Sequence, residues 1–300
     1  MLSESTMRRL AKPMLFAAAL IWGTSFFIMK NALDALPVCG LLAIRFTAAA
    51  VLLAVAFAAK WKHFTLDYLW RGAVIGAFLF AGYTIQTFGL ARTTPSKNAF
   101  FTAVYCVIVP FLYWIVARRR PDRWNVLAAF LCLFGVGLVS LGGEELTGLN
   151  AGDALTLCAA AFFAMHIVAV AKVSPERDIS LLTVFQFAFA ALYAWIGSAC
   201  FETMPPFEQI VRPDTLWPLA YLCVMATTAA LLFQNVGQVW SDPATTGVIL
   251  SLESVFGVLF SVVFYGDRLT PWMLLGFGVI FLGILCSETK LRFLRKKTAP

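Results

Sequence analysis

The chain has 300 residues, of which 61% are hydrophobic and 13% are charged, and its net charge is +7. Soluble domains carry about 25% charged residues, so this composition excludes an ordinary soluble domain and indicates that lipid surrounds much of the chain. All seven cysteines lie in apolar segments without a C-x-x-C spacing, which implies buried small side chains and no disulfide framework.

Ten apolar segments follow one another along the chain, each bounded by charged or turn residues. About 20 apolar residues cross the roughly 30 Å of bilayer hydrocarbon, and a backbone without access to water must form its hydrogen bonds within a helix. The first segment is too long for the apolar part of a cleaved signal peptide. We therefore predict an all-α integral membrane protein with ten transmembrane helices. The predicted spans are 13–33, 38–59, 71–91, 96–116, 124–142, 152–171, 181–201, 216–239, 243–264 and 271–289.

The second half of the chain repeats the first. A shift of 141 positions aligns the second span with the seventh and places Arg45 on Gln186. A shift of 148 aligns the end of the third span and the spans after it with their counterparts in the second half. The residues that coincide at that shift are Gln86 and Gln234, Gly89 and Gly237, Pro95 and Pro243, Trp124 and Trp272, and Gly135 and Gly283. Five spans per copy is an odd number, so the second copy must lie inverted in the membrane, as is typical of secondary transporters.

The predicted boundaries are a cytoplasmic tail over 1–12, a first five-helix repeat over 13–142, a second, inverted repeat over 152–289, and a basic cytoplasmic tail over 290–300. Short cytoplasmic loops are rich in Lys and Arg. With the N-terminus inside, 17 basic residues fall on the cytoplasmic side and 5 on the other. This predicts a multi-pass protein of the plasma membrane, expected to be a bacterial inner membrane, with both termini cytoplasmic. It also accounts for the positive charge without nucleic acid as a partner.

Short motifs in these spans resemble those of one transporter family. Residues 22–26 (W-G-T-S-F) and Arg45-Phe46 resemble the opening motif and the second-helix arginine-phenylalanine pair of the EamA-type transporters, in the drug/metabolite transporter superfamily. Residues 251–256, followed by 265–270, resemble that family's ninth helix and its closing G-E-R-L-T. The likeness covers about residues 13–288. It implies ten helices, alternating access and the transport of small metabolites, often amino acids.

The chain departs from the family pattern at two single positions and in one short run of residues. Ser254 stands where the family usually has proline, Asp267 where it has glutamate, and Arg118-Arg119-Arg120 where the first copy has G-E-R. The first two changes are mild. The third removes an acidic residue at the inner edge, so it affects a loop contact of that glutamate and not the fold.

Glu253 is the sharpest candidate site residue because it lies near the middle of the ninth span, where an ionisable side chain costs about 2.5–3.5 kcal/mol to insert. Its repeat mate at the shift of 148 is Tyr105. Mates in the middle of an inverted pair lie at similar depth, where the repeat interface binds substrate. Glu253 can carry a proton or accept a substrate ammonium, and the structural alternative is a hydrogen bond that locks two helices.

Arg45 and His166 are two further candidate residues, and each lies several residues inside its span. Arg45 enters the second span to a depth of about 10 Å, at 1.5 Å per residue. Its guanidinium can bridge to Glu253, bind a substrate carboxylate or extend outward to the membrane surface. His166, the only histidine in a span, aligns with Ser25 at the shift of 141. It can relay protons or form a structural hydrogen bond between helices.

Six polar or aromatic residues complete the predicted substrate and proton site. The glutamines can line a vestibule or bond between helices, and the aromatic residues can wall a cavity or pack against lipid and core. These six are Tyr105, Trp22, Tyr83, Phe256, Gln86 and Gln234. The cavity is expected among the first four helices of each copy, because spans 124–142 and 271–289 have no ionisable residue in their middles.

These features predict a secondary transporter that moves a small metabolite, an amino acid or a related compound, by alternating access with proton-coupled efflux. An uncoupled facilitator of the same fold is the alternative. An integral-membrane enzyme is a second alternative, but with only two histidines and no paired intramembrane carboxylates, the chain lacks a catalytic constellation. The expected partners are a small-molecule substrate, protons and membrane lipid. A monomer or homodimer is expected, without cofactor or metal.

Overall fold

The structure is a computed structural model that describes residues 4–118, 120–141, 150–241 and 243–290. Ten long helices follow one another through these ranges, and we name them α1 to α10. Three are composite: α4 joins Pro95–Ala103 to Tyr105–Ala117, α8 joins Pro213–Tyr221, Leu222–Ala229 and Ala230–Trp240, and α9 joins Pro243–Phe260 to Ser261–Tyr265. The other seven are α1 (Glu4–Ala32), α2 (Val38–Ala56), α3 (Asp67–Arg92), α5 (Arg123–Leu141), α6 (Ala151–Val173), α7 (Ile179–Phe201) and α10 (Pro271–Thr289).

Seven of the ten helices are long and apolar enough to cross a membrane, namely α1 to α4 and α6 to α8. Shorter apolar helical stretches cover the other three, at Arg123–Val139, Ile249–Tyr265 and Pro271–Cys286. Two short helices lie in the connections, a 3₁₀ helix at Ala58–His63 and an α-helix at Phe207–Ile210. The prediction of ten helices is therefore confirmed.

Helix ends differ from the predicted span ends by a few residues. α1 begins at Glu4 and continues through Pro13, so residues 4–12 form the start of a helix, where the sequence predicted a tail. α2 ends at Ala56, before the predicted end at residue 59. Hydropathy marks the part of a helix that is apolar, whereas a helix continues as long as its backbone hydrogen bonds do. Residues 1–3 and 291–300 of the predicted tails lie outside the described residues.

The contacts between helices are the same when the two copies are exchanged. α2 packs against α7, α4 against α9 and α5 against α10, so each of these helices contacts its own repeat mate. α1 packs against α8 and α9, and α6 packs in the corresponding way against α3 and α4. A pseudo-two-fold axis between the copies explains both sets of contacts.

The mates α2 and α7 run antiparallel. Where α2 ends and α7 begins, Lys60 Nζ lies 2.8 Å from the Asp178 carboxylate. At the opposite end, the Glu202 carboxylate that follows α7 accepts bonds from the backbone N–H groups of Cys39 and Gly40, at 2.8 and 2.9 Å, in the first turn of α2. The second copy is therefore inverted relative to the first.

The mates α5 and α10 show the same inversion. Lys290, at the end of α10, lies 2.5 Å from Asp122, which directly precedes α5. Midway along this pair, a Cβ on Gly135 would lie 2.8 Å from the Gly276 carbonyl oxygen, and a Cβ on Gly276 would lie 2.7 Å from the Gly135 carbonyl oxygen. Small residues allow helix backbones to approach this closely. The prediction of two inverted five-helix repeats is confirmed.

Charged residues tie the end of α6 and the starts of α3 and α7 together on one face. Arg177 Nε and Arg71 Nε lie 2.6 and 3.0 Å from the same Asp67 carboxylate oxygen. Burial raises the pKa of the neighbouring Asp178, but hydrogen bonds from Lys60 and from backbone N–H groups at the start of α7 outweigh that effect. The pKa of Asp178 therefore lies below its ordinary value, and the pair is ionised at neutral pH.

The opposite face is held by charges at helix ends. Asp267, at the position where the family has glutamate, accepts bonds from Ser96 N at 3.0 Å and Ser96 Oγ at 2.6 Å, and so satisfies free donors in the first turn of α4. Lys97 Nζ lies 3.4 Å from the fully buried Asp153 in the first turn of α6. Lys97, which the topology counts as an outer basic residue, is thus buried between helices.

Candidate functional site

A cavity lies near the centre of the molecule. It is lined by residues of α1, α2, α3, α4, α6, α8 and α9, and no described residue of α5 or α10 is among them. The sequence predicted walls from the first four helices of each copy. The structure agrees except at α7, since the described lining includes no residue of that helix.

The lining obeys the repeat symmetry. At the shift of 141 or 148, most lining residues align with a residue of the other copy that also lines the cavity. These pairs are Trp22 and Phe163, Ser25 and His166, Phe26 and Ile167, Tyr83 and Leu231, Gln86 and Gln234, and Tyr105 and Glu253. The cavity therefore lies at the interface between the two copies. The side chains at equivalent positions are the same at Gln86 and Gln234 and differ at the other pairs.

Glu253 is buried in the cavity wall, with 4% of its surface exposed. The Tyr105 side chain forms a hydrogen bond with its carboxylate, so the two mates meet across the pseudo-two-fold axis. The Oε1 atom of Glu253 has no hydrogen-bond partner in the described part of the chain. A buried carboxylate oxygen without a partner is costly, and a proton or a ligand donor would satisfy it.

Arg45 is also buried, with 1% of its surface exposed, so its guanidinium does not extend to the membrane surface. Its Nε donates to Thr227 Oγ1 at 3.0 Å, its Nη1 contacts Met29 Sδ at 3.0 Å, and its Cζ lies 5.4 Å from the Tyr83 ring centroid. No ion pair joins Arg45 to Glu253 or to any other carboxylate among the described residues. The cavity wall thus carries a cation and a carboxyl group that do not neutralise each other.

His166 is the repeat mate of Ser25. Its ring pairs with the side chain of Gln186, the repeat mate of Arg45, and its Nε2 has no partner in the described residues. Both His166 and Gln186 are buried. The second copy therefore presents imidazole and amide groups where the first presents a hydroxyl and a guanidinium.

The remaining polar residues of the wall are oriented by bonds to neighbouring helices. Gln86 Nε2 donates to Thr102 Oγ1 at 2.9 Å, and Trp22 Nε1 donates to the Ala226 carbonyl oxygen at 2.9 Å. The Tyr83 ring packs edge-on against Phe163 at 5.3 Å between centroids. Gln234 is buried and lines the cavity from α8.

Phe256 is the predicted site residue that the structure separates from the cavity. Its ring packs edge-on against Phe16, 5.5 Å between centroids, and stacks on Phe260. A Cβ on Gly23 would lie 2.3 Å from the Phe256 Cβ, so the missing side chain at Gly23 lets α9 approach α1 on this side. That approach directs Phe256 toward α1, although Phe256 lies one turn from Glu253.

Several lining or supporting residues escaped the sequence prediction. The sequence could have identified Ser25 and Gln186, because they are the repeat mates of His166 and Arg45. No feature of the sequence marks Thr227, since a threonine in an apolar helix ordinarily bonds to its own backbone. Its contact with Arg45 depends on how α8 packs against α2.

The model of the EamA-like transporter family matches residues 10–141 and 150–289, once in each half. An uncharacterized transporter of Archaeoglobus fulgidus is 32% identical over 283 residues, covering 94% of this chain and 87% of that protein. The uncharacterized transporter YwfM of Bacillus subtilis is 27% identical over 290 residues, covering 94% of each chain.

Two more distant likenesses accompany these. The threonine/homoserine exporter RhtA of Escherichia coli is 24% identical over 256 residues, covering 80% of this chain and 79% of that protein. A solved crystal structure superposes with a TM-score of 0.67 over 95% of this chain and 98% of that one, at 19% identity, and so shares the fold. Because the family model covers nearly the whole sequence, this chain is a multi-pass membrane protein that belongs to the EamA-like transporter family, in the drug/metabolite transporter superfamily.

Proposed function

We propose that this transporter moves an amino acid or a closely related zwitterion across the plasma membrane, by alternating access and with proton-coupled efflux. The observation that carries the proposal is one cavity with a buried guanidinium and a buried carboxyl group that are not paired with each other. Arg45 suits a substrate carboxylate, since guanidinium and carboxylate form the strongest charge-assisted hydrogen bonds. Glu253 suits a substrate ammonium. A zwitterion satisfies both groups at once.

The comparisons support the same class of substrate. RhtA is named for the export of threonine and homoserine, both of which are zwitterions. Glu253 also suits proton coupling, because a group that binds either a proton or an ammonium makes the two compete for one site. His166, with an unpartnered Nε2, is the second candidate for a proton relay.

The alternative is an uncoupled facilitator with the same cavity, in which Glu253 binds substrate without carrying a proton. Flux that does not respond to an imposed pH gradient favours this alternative. We propose no catalytic step, because the Ser25 hydroxyl donates to the Trp22 carbonyl oxygen at 2.8 Å and no hydrogen bond joins it to His166 among the described residues, whereas a catalytic serine bonds to its base.

Binding of a zwitterion is tested by thermal stabilisation of the purified protein. L-threonine is compared with L-threoninol, which lacks the carboxylate, and with 3-hydroxybutyrate, which lacks the ammonium. A ligand at 100 times its Kd stabilises a folded protein by about 2.7 kcal/mol, so we expect a rise in melting temperature of several degrees with L-threonine and a clearly smaller rise with either analogue, since each analogue lacks one of the two charged groups. Further amino acids, sugars and nucleosides complete the panel. Stabilisation by a sugar or nucleoside, with no response to any amino acid, contradicts the proposal.

We also propose the orientation and boundaries derived from the basic residues, with both termini cytoplasmic, repeats over 13–142 and 152–289, and a bacterial inner membrane as location. A fluorescent protein fused after Pro300 is then expected to fluoresce. A membrane-impermeant maleimide is expected to label Glu208→Cys in intact cells and Lys62→Cys only after permeabilisation, since both positions are exposed in connections on opposite faces.

Cys158 and Cys200 are the exposed native cysteines among the described residues, so both are replaced by alanine in the background of this experiment. Labelling of Lys62→Cys in intact cells, with Glu208→Cys protected, reverses the orientation.

A further inference from the structure

The middle of α8 is π-helical from Leu222 to Ala229, whereas its repeat mate α3 is a continuous α-helix over Asp67–Arg92. A second π-helical stretch, Ser261–Tyr265, closes α9. π-turns within α-helices are rare and occur frequently at functional sites. The stretch in α8 packs against α1 and α2, the two helices that supply Trp22 and Arg45 to the cavity.

Two adjacent threonine hydroxyls form hydrogen bonds that fit the wider turn of the π-helical stretch. Thr227 Oγ1 donates to the carbonyl of Leu222 at 2.7 Å, and Thr228 Oγ1 donates to the carbonyl of Cys223 at 2.8 Å. Both bonds reach back five residues. In ordinary α-helix, hydroxyls bond to the carbonyl three or four residues back, as Thr87 does with Tyr83.

The π-helical stretch contacts two residues of the cavity wall. Thr227 Oγ1 accepts the bond from Arg45 Nε at 3.0 Å, and the Ala226 carbonyl oxygen accepts the bond from Trp22 Nε1 at 2.9 Å. Thr227 is fully buried and is not one of the lining residues. Its hydroxyl proton is committed to Leu222, so an oxygen lone pair is free to receive Arg45.

We propose that the π-helical stretch of α8 is a positioning element that fixes the Arg45 guanidinium through Thr227 and the Trp22 indole through the Ala226 carbonyl. Thr227 is then a positioning residue for the substrate carboxylate, a role that rests on the proposed function. An arginine has five N–H donors in a rigid fork. Holding Nε on Thr227 orients that fork, which saves the rotamer freedom that a free arginine would lose on binding.

The direct test needs no substrate. Protein labelled with ¹⁵N at arginine Nε gives one Nε–H signal per arginine, and the Arg45 signal is assigned by its loss in Arg45→Lys. We expect slow hydrogen exchange of this Nε–H in the unchanged protein and at least about tenfold faster exchange in Thr227→Val, which keeps the shape and removes the acceptor. Thr227→Ser is expected to retain the protection. Thr227→Cys, with a weaker acceptor of similar size, replaces Thr227→Val if the latter does not fold.

Thr228→Val is the matched control, because it removes an equivalent hydroxyl bond of the π-helical stretch without contact to Arg45. Unchanged exchange in Thr227→Val, or equal loss of protection in Thr228→Val, overturns the positioning role.

A second experiment measures L-threonine uptake into proteoliposomes and its inhibition by L-threoninol. Thr227→Val is expected to raise the KM for L-threonine about tenfold, equivalent to 1.4 kcal/mol, and to leave inhibition by L-threoninol unchanged. General damage would weaken both ligands alike, and equal weakening overturns the carboxylate role. If the unchanged protein ignores L-threonine, the proposed function loses its support, while the exchange experiment still decides whether Thr227 positions Arg45.

Discussion

Glu253→Gln is expected to abolish transport driven by an imposed pH gradient. Glutamine matches the shape of a protonated glutamate but cannot release a proton, and Glu253 is the acidic residue of the cavity wall. If Glu253 carries the coupled proton, exchange of labelled for unlabelled substrate persists in this variant while gradient-driven flux falls to background. If Glu253 binds the substrate ammonium, exchange is lost as well. Uptake in proteoliposomes at several pH values measures both.

The control for Glu253→Gln is Glu208→Gln, the same chemical change on an exposed residue of the connection after α7, which is expected to leave both fluxes intact. Tyr105→Phe adds a second comparison, since it removes the hydroxyl that bonds to Glu253 and leaves the carboxyl group in place. A Glu253→Gln variant with unchanged uptake at every pH leaves a structural role for this residue and favours the uncoupled facilitator.

Gly135→Trp is expected to prevent assembly of folded protein, and Gly135→Ala to lower its melting temperature. Even a Cβ at Gly135 would lie 2.7 Å from a side-chain carbon of Ile280 and 2.8 Å from the Gly276 carbonyl oxygen, so α5 and α10 would have to separate. Overpacking costs typically about 1–3 kcal/mol, which corresponds to a fall in melting temperature of roughly 2–5 °C for a chain of this size. Thermal unfolding in detergent measures the loss.

Two glycines on the same helices serve as matched controls. At Gly137 on α5 and Gly278 on α10, no atom of the described residues lies within 4 Å of an added Cβ, so alanine there is expected to leave the melting temperature unchanged or to raise it slightly. Folded Gly135→Ala protein is expected to keep its preference among substrates, because α5 and α10 supply no lining residue. A changed preference with normal stability contradicts a purely supporting role for this pair.

Most of the fold was determined by the sequence alone. A span must be about 20 apolar residues long and helical, so hydropathy marks ten helices without any knowledge of their packing. The repeat shifts of 141 and 148 then align the copies, and an odd number of spans requires inversion. The same logic identified Glu253, Arg45 and His166, because a charge within an apolar segment is costly and therefore conspicuous.

Repeat symmetry also made part of the cavity wall predictable from the sequence. Tyr105 with Glu253 and Gln86 with Gln234 are mates in the sequence and lie together on the wall of one cavity. Position along a helix determines depth in the membrane. Inversion places mates at equal distances from the midplane on opposite sides, so mates near the middle of their spans lie at similar depth. Similar depth could therefore be predicted for mates such as Tyr105 and Glu253, and both line the cavity.

Tertiary structure alone decided which way each side chain points. Packing turns Phe256 toward Gly23 and Phe16 instead of the cavity, leaves α7 without a lining residue, and joins Arg45 to Thr227 rather than to Glu253. Apolar residues surround these helices on both the lipid and the protein sides, so hydropathy contains little information about rotation around a helix axis. That rotation is set by close contacts at small residues and by the π-helical turn of α8, which redirects the carbonyl and hydroxyl groups that hold Trp22 and Arg45.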